Sequence, residues 1–71
     1  MKVILRDRKK FAEVRIRKGY GIPEASIQCD LSSVVLYRLE TGGTQTVRPL
    51  TAKKICEAYN MKFDDLFEIV D

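Results

Sequence analysis

The sequence predicts one all-α domain of five short helices, with a short strand at each end of the chain that could pair beside them. Three observations support this. The length of 71 residues allows a single domain. The composition, 45% hydrophobic and 32% charged, is that of a folded chain rather than a disordered one. The four glycines and two prolines all lie where helices are predicted to begin or end.

The two ends of the chain show a weak period-two pattern. In residues 1–6, Val3 and Leu5 are the apolar positions of the alternation, and residues 67–71 alternate in a similar way. Such alternation predicts short strands. Strands from opposite ends could pair on the side of a helical bundle, although a helix continued through residues 64–70 fits the second segment nearly as well.

The first two helices are delimited by cap residues. The first is predicted over residues 8–18, because Asp7 is a fair N-cap and Gly19 follows at the C′ position. The second begins after Gly21, with a proline in its first turn where a missing N–H costs little. It ends near Asp30, because a new N-cap follows two residues later.

The third helix is predicted over residues 33–41, between the N-cap Ser32 and a pair of glycines. Leu36 and Leu39 face inward. The outward side carries a mixed set of side chains: Ser33, Val34, Tyr37 and Arg38. A face with valine, tyrosine and arginine but no glutamate or lysine is unusual for a helix that meets only solvent. It indicates a binding surface.

Two further helices complete the predicted bundle. A polar connection over residues 44–48 leads to a fourth helix over residues 49–59, closed by Asn60, which tolerates the left-handed conformation. Its candidate buried side chains are Leu50, Ile55, Ala58 and Tyr59. A short fifth helix is predicted over residues 63–67, with two aspartates at its favourable N-terminal end.

Charge is distributed unevenly along the chain. The net charge is +3, but residues 1–18 hold eight basic and two acidic side chains, a local +6. Residues 19–61 balance at four against four, and residues 62–71 hold one lysine against four acids, a local −3. A basic N-terminal part and an acidic C-terminal part suit a protein that binds a polyanion on one side. An evenly solvated surface is the alternative.

The side chains required for most enzyme chemistry are missing. There is no histidine, no nucleophile beside a base and no phosphate-binding glycine loop, so we expect no enzyme activity, cofactor or small-molecule substrate. Cys29 and Cys56 alone cannot supply the four ligands of a structural zinc site, and we expect no metal. Both lie in apolar, helix-like surroundings typical of buried reduced thiols; a disulfide is the alternative.

Reduced thiols indicate a cytoplasmic protein. The apolar run at residues 3–5 is too short for a signal peptide or a membrane span, so we expect no membrane association.

Three segments, in this order and spacing, resemble one family. They are FAEVRIRKG (11–19), LSSVVLYRLETG (31–42) and TAKKICEAYNMKFDDLF (51–67). Together they resemble the Cro/CI (XRE-type) helix-turn-helix family of phage-repressor-like DNA-binding proteins, over about residues 9–67. The resemblance implies a five-helix, lambda-repressor-like fold in a single domain, residues 1–71, with the helix-turn-helix at about residues 21–42.

The resemblance also assigns roles to individual residues. Arg15 pairs with Glu40, because a guanidinium can hold a carboxylate through two parallel bonds; two independent surface charges are the alternative. The residues that read bases are Ser33, Val34, Tyr37 and Arg38. The residues that contact DNA phosphates are Gly21, Ile22, Gly43, Thr44, Gln45, Thr46 and Arg48. Val34 could meet a thymine methyl, whereas Arg38 could reach guanine or a phosphate.

The chain departs from the family pattern at the start of the second helix. The family has a hydroxyl residue followed by a phosphate-binding glutamine, where this chain has Gly21 and Ile22. The turn glycine is replaced by Asp30, which can adopt the same left-handed conformation at some cost. These changes lower the expected DNA affinity without threatening the fold.

The function implied by the resemblance is that of a sequence-specific DNA-binding transcriptional regulator. It would be a repressor of phage or mobile-element type, bacterial or phage-encoded, binding double-stranded DNA as a homodimer on a two-fold operator. Candidate dimer residues are Phe67, Ile69 and Val70. The alternative is a protein-interaction module on the same fold, such as an antitoxin or an anti-repressor accessory factor.

Overall fold

The computed structural model describes all residues, 1–71, and contains five helices and three short strands. In chain order they are β1 (Lys2–Leu5), α1 (Arg8–Arg17), α2 (Ile22–Cys29), α3 (Ser33–Thr41), β2 (Thr46–Val47), α4 (Pro49–Tyr59), α5 (Phe63–Leu66) and β3 (Phe67–Val70). The strands form one antiparallel sheet in the order β2-β1-β3. The all-α prediction is therefore wrong in one respect, because the five predicted helices are accompanied by a small sheet.

The two ends of the chain pair as the period-two pattern predicted. Leu5 lies opposite Phe67, and Val3 lies opposite Ile69. The alternative of a helix through residues 64–70 is wrong, since α5 ends at Leu66. The strand conformation is favoured because it buries both Leu5 and Phe67 completely, the latter with its ring 6.5 Å from that of Phe11.

Local signals account for the ends of the helices. The Asp7 carboxylate accepts the backbone N–H groups of Lys9 and Lys10 at 2.9 and 3.2 Å, which starts α1. Asp30 and Asn60 end α2 and α4 in the left-handed conformation, with φ of 54° and 53°. These short polar side chains are among the few that adopt it readily.

The core lies between the helices and the inner face of the sheet. Its largest members are Tyr59, Phe11 and Phe67, and the Phe11 and Tyr59 rings are 5.8 Å apart. Leu50, a candidate core residue, is instead 60% exposed. The buried side of α4 is the stripe Ala52, Ile55, Cys56 and Tyr59. Leu50 precedes this stripe by two positions and therefore projects to the other side of the helix.

Cys29 and Cys56 are both buried free thiols, so the disulfide alternative is wrong. Burial raises the pKa of each thiol above its ordinary value.

Candidate nucleic-acid interface

Helix α3 is fixed against α1 by an ion pair. The Arg15 guanidinium donates from Nε to Glu40 Oε2 at 2.7 Å and from Nη2 to Glu40 Oε1 at 2.9 Å. Its Nη1 donates to the Tyr20 carbonyl at 2.7 Å, so the group also ties down the chain between α1 and α2. The hydrogen bond to Glu40 is the main cause that raises the pKa of Arg15. Planar two-point pairing of this kind sets orientation as well as distance.

A second contact holds the C-terminal end of α3, and nothing in the sequence pattern indicated it. Arg8 Nη1 donates to the Thr41 carbonyl at 3.0 Å, where the last turn of the helix leaves carbonyl groups free. Gly42 follows with φ 86°, and a Cβ at that position would lie 1.8 Å from Arg8 Nη1. The guanidinium therefore occupies the space that the missing side chain leaves open.

The outward side of α3 is free of protein contacts that would cover it. Leu36 and Leu39 are fully buried beneath the helix. The four residues expected to read bases, Ser33, Val34, Tyr37 and Arg38, are all exposed. Val34 is 55% exposed and Tyr37 is 61% exposed, large values for apolar side chains.

Beside this face lies a basic cleft between α3, β2 and the start of α4, with a volume of about 360 Å³. Its lining residues are Val35, Arg38, Thr44, Thr46, Val47, Arg48 and Thr51. Two arginines and three threonines thus meet without an acidic side chain among them. The N-terminus of α4 begins at Pro49, next to this cleft, and adds a partial positive charge. Guanidinium groups, hydroxyls and a helix N-terminus together suit a phosphate group.

The chain matches, over residues 1–71, the family model described as Cro/C1-type HTH (helix-turn-helix) DNA-binding domain. The protein belongs to this family. No curated protein and no solved structure matches the chain. Membership over the full length makes this a DNA-binding helix-turn-helix domain, in agreement with the resemblance that the sequence segments carry.

The cleft of this Cro/C1-type domain unites only part of the expected phosphate-binding set. Of the seven residues, Thr44, Thr46 and Arg48 line the cleft, together with Arg38, which was expected to read bases. No motif or periodicity indicated that Thr51 or Val35 would join them. Thr51 lies in the first turn of α4, and it reaches the cleft because α4 begins directly after β2.

The remaining expected contacts lie elsewhere. Gln45 faces the sheet, where its side chain donates to the Leu5 carbonyl at 3.2 Å. The Gly43 N–H donates to the Arg38 carbonyl at 2.9 Å, and the side-chain stem of Arg38 packs against Gly43. Gly21 and Ile22 are at the start of α2 and do not line the cleft.

The start of α2 is occupied by a carboxylate from the protein itself. Glu24 Oε1 accepts the Gly21 N–H at 2.8 Å. The negative charge complements the partial positive charge of the helix N-terminus, and it also repels a phosphate there. The start of α2 therefore lacks the phosphate-binding glutamine of the family and carries a carboxylate instead.

Beneath the turn, the core of the domain holds an unsatisfied hydroxyl. Tyr59 is fully buried, and its hydroxyl has no hydrogen-bond partner. It lies next to the Cys29 thiol. Burial raises the pKa of Tyr59 far above its ordinary value. Above it, Lys54 Nζ reaches Asp30 Oδ2 at 3.3 Å, which links α4 to the turn.

No three side chains of the metal-binding types cluster together. None of the helices has the length and apolar character needed to cross a bilayer.

Proposed function

We propose that this domain is a transcriptional regulator that binds a specific duplex sequence and represses the adjacent gene, in a bacterium or a phage-type element. One observation carries the proposal: the exposed face of α3 and the basic cleft share Arg38 and so form one continuous surface. The helix face has the position to enter a major groove, and the cleft has the charge to hold the phosphates beside it. No chemical step is required.

The proposal includes a homodimer in the cytoplasm. One helix-turn-helix makes few base contacts, and two copies on a two-fold site double them, with half-sites roughly 34 Å apart. Of the C-terminal residues considered for the dimer surface, Phe67 is fully buried in the core. Ile69, on the free edge strand β3, is 61% exposed and is the better candidate.

Binding to duplex DNA at several salt concentrations tests the proposal. Neutralised phosphates release counterions, so six or more phosphate contacts predict a loss of about 10³-fold or more in affinity between 50 and 200 mM salt. The duplex is the DNA upstream of the protein's own gene, and a shuffled duplex of the same composition is the control. Tighter binding to the upstream duplex shows specificity. A weak, salt-independent response on both duplexes would exclude a repressor.

A protein-interaction module is the second candidate function. It is favoured by the exposed Val34 and Tyr37, and by the Glu24 carboxylate at the start of α2. Such a module would bind neither duplex and would instead form a complex with a protein through α3. Val34→Glu would then abolish the complex, and binding to DNA would be absent at every salt concentration.

A further inference from the structure

The outward face of α3 offers few polar groups to a base edge. Thr41 Oγ1 donates to the Tyr37 carbonyl at 2.9 Å, so its hydroxyl is already used by the helix backbone. Arg38 lines the cleft with Arg48 and packs its stem on Gly43, which places its guanidinium beside the phosphate-binding groups. What remains on the face is the Ser33 hydroxyl, the Tyr37 phenol and, between them, an apolar surface.

That apolar surface lies at the centre of the face. Val34 is 55% exposed and Tyr37 is 61% exposed. The two are three positions apart on α3, so their side chains are neighbours. Valine can neither donate nor accept a hydrogen bond, and it cannot distinguish the donor and acceptor patterns of base edges. The one apolar group that a standard base pair presents in the major groove is the C5-methyl of thymine.

We propose that Val34, flanked by the ring of Tyr37, reads C5-methyl groups of pyrimidines in the major groove, so that its contact selects thymine by the methyl rather than by a hydrogen bond. The inference rests on the proposed function, because it requires α3 to enter the groove. It adds the chemical group that is recognised and the residue that recognises it. 5-Methylcytosine carries the same C5-methyl group in the major groove and would be contacted by Val34 in the same way.

The size of the effect follows from the area removed from water. Burying one methyl or methylene group contributes about 0.8 kcal/mol, which corresponds to about a fourfold change in affinity. Each thymine methyl in contact with Val34 therefore strengthens binding by about fourfold. A homodimer with one such contact in each half-site gains the product of the two factors.

Deoxyuridine substitution isolates the methyl. Deoxyuridine has the same hydrogen-bonding groups as thymidine and lacks only the C5-methyl group. The preferred duplex is selected from a random library with the full-length protein, and each thymine is then replaced singly by deoxyuridine. We expect at least one position in each half-site to lose about fourfold in affinity. 5-Bromodeoxyuridine at that position restores the affinity, because bromine is apolar and close to methyl in size.

Two variants assign the effect to the residue. Val34→Ala is expected to bind the thymidine and deoxyuridine duplexes nearly equally. Ile16→Ala, which removes a similarly exposed apolar side chain (62%, against 55% for Val34) from α1, is the matched control and keeps the discrimination. Tyr37→Phe also keeps it, because the ring rather than the hydroxyl flanks the methyl.

The outcomes separate this inference from the proposed function. Salt-dependent, sequence-selective binding that no deoxyuridine substitution weakens overturns methyl reading and leaves the regulator standing. Discrimination that survives Val34→Ala overturns the assignment to Val34. Absence of duplex binding at every salt concentration overturns both.

Discussion

Arg15 and Glu40 form a two-point ion pair that joins α1 to the last turn of α3, with N–O distances of 2.7 and 2.9 Å. The side chains are only 13% and 10% exposed. Two charges so far removed from water contribute less to net stability than their distance implies, because each has lost its hydration. The main effect of the pair is therefore to fix the angle between α3 and α1. Either member without the other is a nearly buried, unpaired charge that destabilises the fold.

Glu40→Gln is expected to destabilise the domain by about 3 kcal/mol, because it leaves the Arg15 charge nearly buried without a counter-charge. The double variant Arg15→Met/Glu40→Leu is expected to lose less than either single change. Urea unfolding midpoints measure both effects. Asp30→Asn is the control: it breaks the ion pair with Lys54, in which the aspartate is 90% exposed, and should cost less than about 1 kcal/mol. A double variant that is less stable than both single variants would contradict this view of the pair.

Two glycines with the same backbone conformation provide a matched test of the Arg8 contact. Gly19 and Gly42 have φ of 81° and 86°, so an alanine at either position meets the left-handed penalty of about 1 kcal/mol. At Gly19 the added Cβ meets open space, whereas at Gly42 it displaces the Arg8 guanidinium. Gly42→Ala should therefore lose more stability than Gly19→Ala. In an Arg8→Ala background the difference between the two glycines should disappear, and its persistence would show that Arg8 is not its cause.

The helix boundaries were predictable because capping is local. Asp7, Ser32 and Asn60 each lie within a few residues of the backbone groups they satisfy or the turn they adopt, so a single sequence contains the signal. The two-residue strand β2 was missed for the opposite reason. Thr46 and Val47 are too few to show a period, and their partners on β1 are more than forty residues away along the chain.

The candidate site likewise has one part that could be predicted from the sequence and one part that could not. The outward face of α3 follows from helical periodicity, and its four residues are exposed as predicted. The basic cleft was not predicted as a unit, because its lining residues come from α3, β2 and α4 and are brought together only by the tertiary fold. The Glu24 cap was within reach of sequence reasoning, since a glutamate three residues after an N-cap is a known signal. At Gly21 that signal lacks its usual serine or threonine.

The buried Tyr59 hydroxyl predicts how stability changes with pH. Burial raises the pKa of Tyr59 and of the two thiols above their ordinary values of 10.0 and 9.0. The unfolded chain therefore loses these protons at a lower pH than the folded chain. Stability from the neutral groups is fully present below about pH 9 and falls as pH rises above it. Urea unfolding between pH 7 and pH 11 measures the decline.

Tyr59→Phe separates the tyrosine from the thiols. The hydroxyl has no hydrogen-bond partner, so its removal at pH 7 should raise the free energy of unfolding by about 1 kcal/mol. The variant should also lose stability less steeply above pH 10, while the decline near pH 9 from Cys29 and Cys56 remains. A loss of stability at pH 7 would instead show that the hydroxyl has a partner, such as a bound water.

The basic cleft predicts which side chains set the salt dependence of DNA binding. Arg38→Ala and Arg48→Ala should each reduce the slope of log K against log salt by about 1, and should weaken binding to all duplex sequences about equally. Lys10→Ala is the control. It removes the same charge from the side of α1 that faces Met61 rather than α3, and should leave the slope unchanged.

Arg38→Ala is the more informative of the two arginine variants. Arg38 was expected from the sequence to contact bases, whereas in the structure it lines the cleft. A base contact would have a different signature: Arg38→Ala would weaken the preferred duplex by about 1–3 kcal/mol relative to a shuffled one and leave the salt slope intact. An equal loss on both duplexes with a smaller slope assigns Arg38 to phosphate. In that case the only groups of α3 left to select a sequence are Ser33, Val34 and Tyr37, and the thymine methyl becomes the main feature that the domain can recognise.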